Sequence, residues 1–135
     1  MATLKLEIVT PEAKIYSEDV DMVTLPGIEG EMGIYPMHVP LMTQVRAGEL
    51  VARKGGQDHF LAIGEGFVEI TGDHVAVMTD MAIKADDIDE TKAEEARRRA
   101  ESRLSEKLGD EESAAVQAAL AHSLAQLKVK RRQQR

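Results

Sequence analysis

The 135-residue sequence has no cysteine, no tryptophan, and only two phenylalanines and two tyrosines. Without cysteine the chain can form no disulfide, no thiolate metal site and no cysteine nucleophile. Because aromatic residues are so few, the core must be aliphatic, and the stacking platforms that bind single-stranded nucleic acid are lacking. No apolar run approaches the roughly 20 residues that span a bilayer, so we expect no direct membrane insertion.

Basic residues are also few: 17 lysines and arginines face 24 aspartates and glutamates, which gives a formal net charge of −7. An acidic chain is repelled by nucleic acid, so we predict no nucleic-acid partner. The exception is the C-terminal segment 128–135, which has no acidic residue and carries the cations Lys128, Lys130, Arg131, Arg132 and Arg135. The N-terminus shows no signal or transit pattern, and we expect the chain to be cytosolic as synthesised.

Residues 4–83 show the short alternating segments typical of β-strands. Leu4, Leu6 and Ile8 alternate with charged residues, as expected for strands with one buried face. Glycines in Lys54–Gln57 and Thr71–His74 predict tight hairpin turns. This rhythm predicts two packed antiparallel sheets of about ten short strands.

After Asp87 the apolar residues recur at helical spacing. The first predicted stripe consists of Ala93, Ala96, Ala100, Leu104 and Leu108. Gly109 is expected to end this helix, and the acidic residues 110–112 to begin a second one. The second predicted stripe consists of Val116, Leu120, Leu124 and Leu127.

The predicted fold class is therefore α+β, with a β-sandwich domain at 1–85 and an antiparallel two-helix hairpin at 86–135. Alanine buries less apolar surface than leucine, so the alanine-rich hairpin should be held less firmly than the sandwich. We expect the hairpin to be mobile.

One segment, Leu25–Leu41, is unusually constrained and reads LPGIEGEMGIYPMHVPL. Its three prolines fix φ, and Gly27, Gly30 and Gly33 are expected to adopt positive φ, which together predict an ordered loop. No Lys-Ser/Thr pair follows these glycines, so a nucleotide-binding loop is not indicated.

This segment, the LEIVTPE opening and the Gly64-Glu65-Gly66-Phe67 turn resemble the ε subunit of bacterial F-type ATP synthases, which is called δ in mitochondria. The resemblance covers the whole chain. It implies a non-catalytic rotor subunit whose sandwich joins the γ subunit to the c-ring during proton-driven ATP synthesis. It also implies a regulatory hairpin that inhibits ATP hydrolysis, and a peripheral location on the cytoplasmic face of the bacterial inner membrane.

The resemblance also implies partner-binding residues. Those carried over to the c-ring contact are Glu29, Gly30 and Glu31, and those carried over to the γ contact are Thr10, His38 and Thr43. The cations expected to reach the catalytic β subunit are Lys128, Lys130, Arg131 and Arg132.

Ile88, Asp89, Lys92 and Ala93 resemble the Ile/Leu-Asp-x-x-Arg-Ala motif with which some bacterial ε subunits bind ATP. Lysine replaces the arginine of that motif, and a lysine offers phosphate a point charge instead of a planar fork. His122 and Gln126 stand where ATP-binding members place arginines. We expect weak or absent ATP binding and no other cofactor; alternatively, Asp89 is simply a helix N-cap and Lys92 a solvated charge.

No catalytic residue and no metal site is predicted, because the four histidines lack ligand spacing and no triad pattern is visible. Two other functions stay open at this point. One is a stand-alone sandwich adaptor that dimerises through its helices. The other is a small hydrolase that uses His38 and loop carboxylates.

Overall fold

The computed structural model describes residues 2–133 and, as predicted, contains ten strands followed by two helices. The strands are β1 (Leu4–Val9), β2 (Lys14–Val20), β3 (Met22–Gly27), β4 (Gly30–Ile34), β5 (His38–Val45), β6 (Gly48–Lys54), β7 (Gln57–Ile63), β8 (Gly66–Gly72), β9 (His74–Thr79) and β10 (Ala82–Lys84). A 3-10 turn at Ala85–Asp87 leads to α1 (Glu90–Leu104) and α2 (Asp110–Gln133).

The strands form one sheet in the order β10-β7-β6-β3-β5-β8-β9-β1-β2, with β4 paired to β3. Only Asp21 separates β2 from β3, and these two strands pair with β1 and β6, at distant places in the strand order. The sheet therefore folds over into two layers around one aliphatic core, which confirms the predicted sandwich. The antiparallel prediction has one exception: β1 runs parallel to β9.

Both predicted hairpin turns are present, between β6 and β7 and between β8 and β9. Gly55, Gly56 and Gly72 in these turns have φ of 61°, 80° and 55°. The loop predicted at Leu25–Leu41 is wrong, however, because β3, β4 and β5 run through most of it. The glycines and prolines are accommodated within a local hairpin, in which β3 pairs with β4 from Val23 opposite Ile34 to Gly27 opposite Gly30.

Positive φ was predicted for three glycines in this segment, and one of them adopts it. Gly30 has a φ of 136°, whereas Gly27 and Gly33 are not among the positive-φ glycines of the described chain. Gly27 is needed for space instead: a Cβ there would lie 2.7 Å from Met32 Sδ and 2.8 Å from the Gly30 carbonyl oxygen. The two sides of the β3–β4 hairpin can therefore approach closely.

The two helices form the predicted hairpin. Helix α1 begins at an Asp89 cap and ends at Leu104, so Leu108 and Gly109 lie in the connection and not in the helix. Helix α2 begins at Asp110, as predicted from its acidic first turn. Leu124 does not face inward as predicted, since 49% of it is exposed.

The reason for the error at Leu124 is that α2 packs against two neighbours. Its N-terminal half lies against α1, where Val116 is buried. Near its C-terminal end, Ala125 and Val129 pack against Ala62 of β7 and Ile88. A helix with two buried faces does not show the single stripe on which the prediction was based.

The sandwich and the helix–sandwich contact have separate cores. The sandwich core contains no residue of either helix. The second cluster is small, and three of its five buried residues are alanines: Ala62, Ala85 and Ala125. Because alanine contributes little burial, we expect the hairpin to leave the sandwich more readily than the sandwich unfolds.

Candidate functional site

The β3–β4 hairpin brings the three residues predicted to contact the c-ring together at one exposed tip. Gly27 pairs with Gly30, so Ile28 and Glu29 form the turn. The tip is tied to the sheet, because the Ile28 N–H donates to the Gln44 carbonyl at 3.2 Å. Glu29 and Glu31 both remain exposed. The tip thus presents two carboxylates on a hairpin that is hydrogen-bonded to β5.

Thr43, which was assigned to the γ contact, lies beside this tip. A cavity of about 280 Å³ is lined by tip residues 28–32 together with Leu41 and Thr43 of β5. The family resemblance assigned Thr43 and the tip to different partners, whereas the structure places them around one groove.

The three residues predicted to contact γ do not form a cluster. His38 pairs with Gly72, at the end of the sheet where Lys5 pairs with His74. Thr10 follows Val9 at the opposite end, about 17 Å away at the rise of an extended strand. Thr10 is buried and donates from Oγ1 to the Ala13 carbonyl, and His38 Nδ1 donates to the Val39 carbonyl at 2.6 Å.

Sequence reasoning missed an apolar outer face between these two ends, on β5, β8 and β9. Phe67 lies directly opposite Met78, and Met42 lies on the neighbouring strand. These side chains are 49%, 44% and 60% exposed, and Val39 at the start of β5 is 71% exposed. The signal was present in the sequence, because Phe67 and Glu69 alternate with the buried Val68 and Ile70.

Glu7 forms a charged cluster on the same sheet. Its Oε2 lies 2.8 Å from Lys14 Nζ, and its Oε1 lies 2.8 Å from His74 Nε2. The hydrogen bonds from Lys14 and then His74 lower the pKa of Glu7 from its ordinary 4.5 to about 2. A carboxylate bonded on both oxygens is held in its charged form.

We predict that Glu7→Gln changes how stability depends on pH. A lowered pKa contributes stability above pH 4.5, and this contribution is lost as the pH falls towards 2. The difference in free energy of unfolding between wild type and Glu7→Gln should therefore shrink over that window, as measured by denaturant unfolding at a series of pH values. Glu12→Gln, at an exposed glutamate nearby, is the control; parallel wild-type and Glu7→Gln profiles would contradict the prediction.

The residues that resemble an ATP motif have structural roles. The Asp89 carboxylate caps α1 by accepting from the Lys92 N–H at 3.1 Å, while Ile88 and Ala93 are buried. His122 Nε2 lies 3.2 Å from Asp80 Oδ1, and Gln126 contacts Met81. His122 and Gln126 thus join α2 to the sandwich.

The surface next to Lys92 is not strongly basic. A cavity of about 410 Å³ at the start of α1 is lined by Glu90, Thr91, Glu94, Glu95, Arg98 and Arg131. Arg97, and then Arg98 and Arg131, lower the pKa of Glu94. Because the carboxylates already occupy these guanidiniums, a phosphate would have to compete for them.

Three cations of the C-terminal segment are paired within the chain. Lys130 Nζ donates to the Ala85 carbonyl at 3.2 Å, and Arg131 contacts Glu94 at 3.2 Å and Glu90 at 3.5 Å. Arg132 Nη1 lies 2.5 Å from Glu49 Oε1. Lys128 is exposed, and Arg135 lies outside the described residues.

Neither a metal centre nor a membrane-spanning helix is found in residues 2–133. Residues 2–133 contain no group of three His, Cys, Asp or Glu side chains arranged to hold a metal ion. No helix among these residues combines the length and the apolar composition needed to cross a membrane.

Two solved structures resemble the chain in fold. One belongs to the Euglena gracilis mitochondrial ATP synthase, described as OSCP/F1/c-ring, with a TM-score of 0.77 and 24% identity over 95% of this chain and 81% of that one. The other belongs to the Tetrahymena thermophila mitochondrial ATP synthase, described as central stalk/c-ring, with a TM-score of 0.52 and 13% identity over the full length of both. At these identities the likeness shows the fold alone.

Sequence comparisons show the family. The beta-sandwich domain of the ATP synthase delta/epsilon chain matches residues 3–85, and its long alpha-helix domain matches residues 86–131. The ATP synthase epsilon chain of Dehalococcoides mccartyi is 46% identical over 96% of this chain and 93% of its own length, and that of Laribacter hongkongensis is 40% identical over 95% and 93%. Both domains, in this order, place the chain in the ATP synthase delta/epsilon chain family.

Proposed function

We propose that this chain is a non-catalytic rotor subunit that joins γ to the c-ring, so that torque from proton flow reaches the catalytic subunits. The observation that carries this proposal is the presence of an acidic tip and an apolar outer face on one sandwich. Exposed apolar side chains that are contiguous on a surface mark a protein-binding site.

The c-ring contact is assigned to Glu29, Gly30 and Glu31. The two carboxylates of the tip are exposed, and they suit a basic loop on the partner. The c-ring named in the description of the Euglena assembly supports this choice of partner.

The γ contact is assigned to the outer face that contains Met42, Phe67 and Met78. His38 lies at one end of this face, whereas Thr10 is buried, and Thr43 lies on the opposite side of β5 from Met42 because neighbouring strand residues alternate. The apolar side chains provide burial, while His38 at the margin would fix orientation.

The hairpin is assigned a regulatory role, with one position docked on the sandwich and another extended along γ. In the extended position Lys128, Lys130, Arg131 and Arg132 would reach an acidic segment of the β subunit and impede hydrolysis. The contact between α2 and the sandwich is small and rich in alanine, which supports a hairpin that can leave the sandwich.

The chain needs no cofactor for these roles, and ATP binding at the hairpin is expected to be weak or absent. Through its partners the subunit would be peripheral, on the cytoplasmic face of the bacterial inner membrane.

Removing the hairpin tests both roles. We expect the cognate catalytic head, depleted of this subunit, to hydrolyse ATP slowly with the full chain bound and faster with a version ending at Ala85. Because the sandwich core contains no helix residue, the short version should keep its fold and still bind γ. Equal rates with both forms bound would exclude inhibition, and failure of either form to bind would exclude the rotor assignment.

A further inference from the structure

The C-terminal end of α2 meets the sandwich at a buried carboxylate. Glu49 lies on β6, and its side chain is only 6% exposed. Arg132 Nη1 donates to Glu49 Oε1 at 2.5 Å, and the Arg132 guanidinium carbon lies 5.3 Å from the centre of the Phe60 ring on β7. The planar guanidinium is therefore held by an ion pair and an aromatic face together.

Neighbouring cations of the tail make different contacts. Arg131 pairs with Glu90 and Glu94 of α1, so those ion pairs stay within the hairpin when it moves. Lys130 donates to the Ala85 carbonyl, at the junction of the two domains. The Arg132 contact crosses from helix to strands, so it must break when the hairpin leaves.

Glu49 depends on this contact. Its second oxygen, Oε2, is buried without a hydrogen-bond partner among residues 2–133. A buried carboxylate that loses its one charged donor is left uncompensated, which is far more costly than losing a surface ion pair. Removing Arg132 should thus disfavour the docked position itself.

We infer that Glu49 and Phe60 form a guanidinium receptor on the sandwich, and that its occupation by Arg132 sets the fraction of chains whose hairpin is docked. This inference rests on the proposed function in one respect, namely that Arg132 is also one of the cations proposed to reach the β subunit. One guanidinium cannot be in both places, so docking and the contact with β compete for the same side chain.

The docked fraction can be measured on the full chain. Because the chain has no cysteine, Gln57→Cys on β7 and Gln117→Cys on α2 introduce two unique, exposed positions for spin labels. Double electron–electron resonance then gives the distribution of distances between sandwich and hairpin. We expect Glu49→Gln, which keeps the shape of the side chain but removes its charge, to raise the ratio of detached to docked chains on the order of tenfold.

Arg132→Gln should shift the ratio further than Glu49→Gln, because it leaves the Glu49 carboxylate buried without its charged donor. The double variant Glu49→Gln/Arg132→Gln should shift the ratio less than Arg132→Gln alone, because it also removes the uncompensated carboxylate. Arg132→Lys, which keeps the charge but loses the planar fork, should lie between wild type and Arg132→Gln.

Lys128→Gln is the matched control, because it removes the same charge from an exposed position one turn away. The inference is overturned if both Glu49→Gln and Arg132→Gln leave the distances unchanged, or if Lys128→Gln shifts them equally. Since these measurements use the isolated chain, they are independent of whether the hairpin inhibits hydrolysis.

Discussion

Replacing Gly66 with alanine is expected to destabilise the sandwich strongly. An added Cβ would lie 1.9 Å from the Met78 carbonyl oxygen and 2.8 Å from Thr79 Cα. These are backbone atoms of β9, so no side-chain rotation can make room. Overpacking typically costs about 1–3 kcal/mol, and a backbone obstacle places Gly66→Ala at about 3 kcal/mol or more.

Gly33→Ala is the matched control for this substitution. Gly33 also lies in a paired strand, but a Cβ there would meet only Met22 Cε, at an ordinary 3.6 Å. We expect its free energy of unfolding, measured with urea, to change by less than about 1 kcal/mol. Equal losses for the two variants would show that close approach of the backbone is not what requires glycine at position 66.

Phe67→Glu is expected to abolish recruitment by γ while leaving the fold intact. The side chain is 49% exposed in the free chain, so a charge there remains hydrated. In the proposed complex it would be buried in an apolar contact, where an unpaired carboxylate costs several kcal/mol. We expect affinity for γ, measured by titration calorimetry, to fall by at least about a hundredfold.

Leu124→Glu provides the comparison, because Leu124 is also 49% exposed but lies on α2. Leu124→Glu should leave the affinity of the docked chain for γ unchanged. The two variants should have the same melting temperature, because both positions are exposed to the same extent. If both variants bind γ as wild type does, the outer face of β5, β8 and β9 is not the contact.

The fold was largely predictable from local patterns. Alternation at Leu4, Leu6 and Ile8 identified strands, and the acidic residues at 110–112 marked the start of α2. The parallel pairing of β1 with β9 was not predictable, because it depends on which distant strands meet. The orientation of Leu124 was missed for the same reason, since it depends on a second partner for α2.

For the candidate site, the spacing of Gly27, Gly30 and Gly33 located the β3–β4 tip. The contacts that the tip makes with β5 depend on how the strands pair, which the spacing does not give. Thr43 was separated from the tip by sequence, and strand pairing brought them to one groove. The Glu49–Arg132 pair joins residues 83 positions apart, so no local pattern could reveal it. The exposure of Phe67 and Met42 was predictable, because both are large apolar residues at the outward-facing positions of alternating strands.

The near-continuous segment from Lys14 to Gly27 has a mechanical consequence. It pairs along its length first with β1 and then with β6 and β4, and it ends at the acidic tip. A pull on that tip along the strands loads the flanking hydrogen bonds in shear, so many must fail together instead of opening one by one. A single stretch of backbone thereby anchors the tip to both layers of the sandwich, so the tip should resist displacement when it is loaded along the strands.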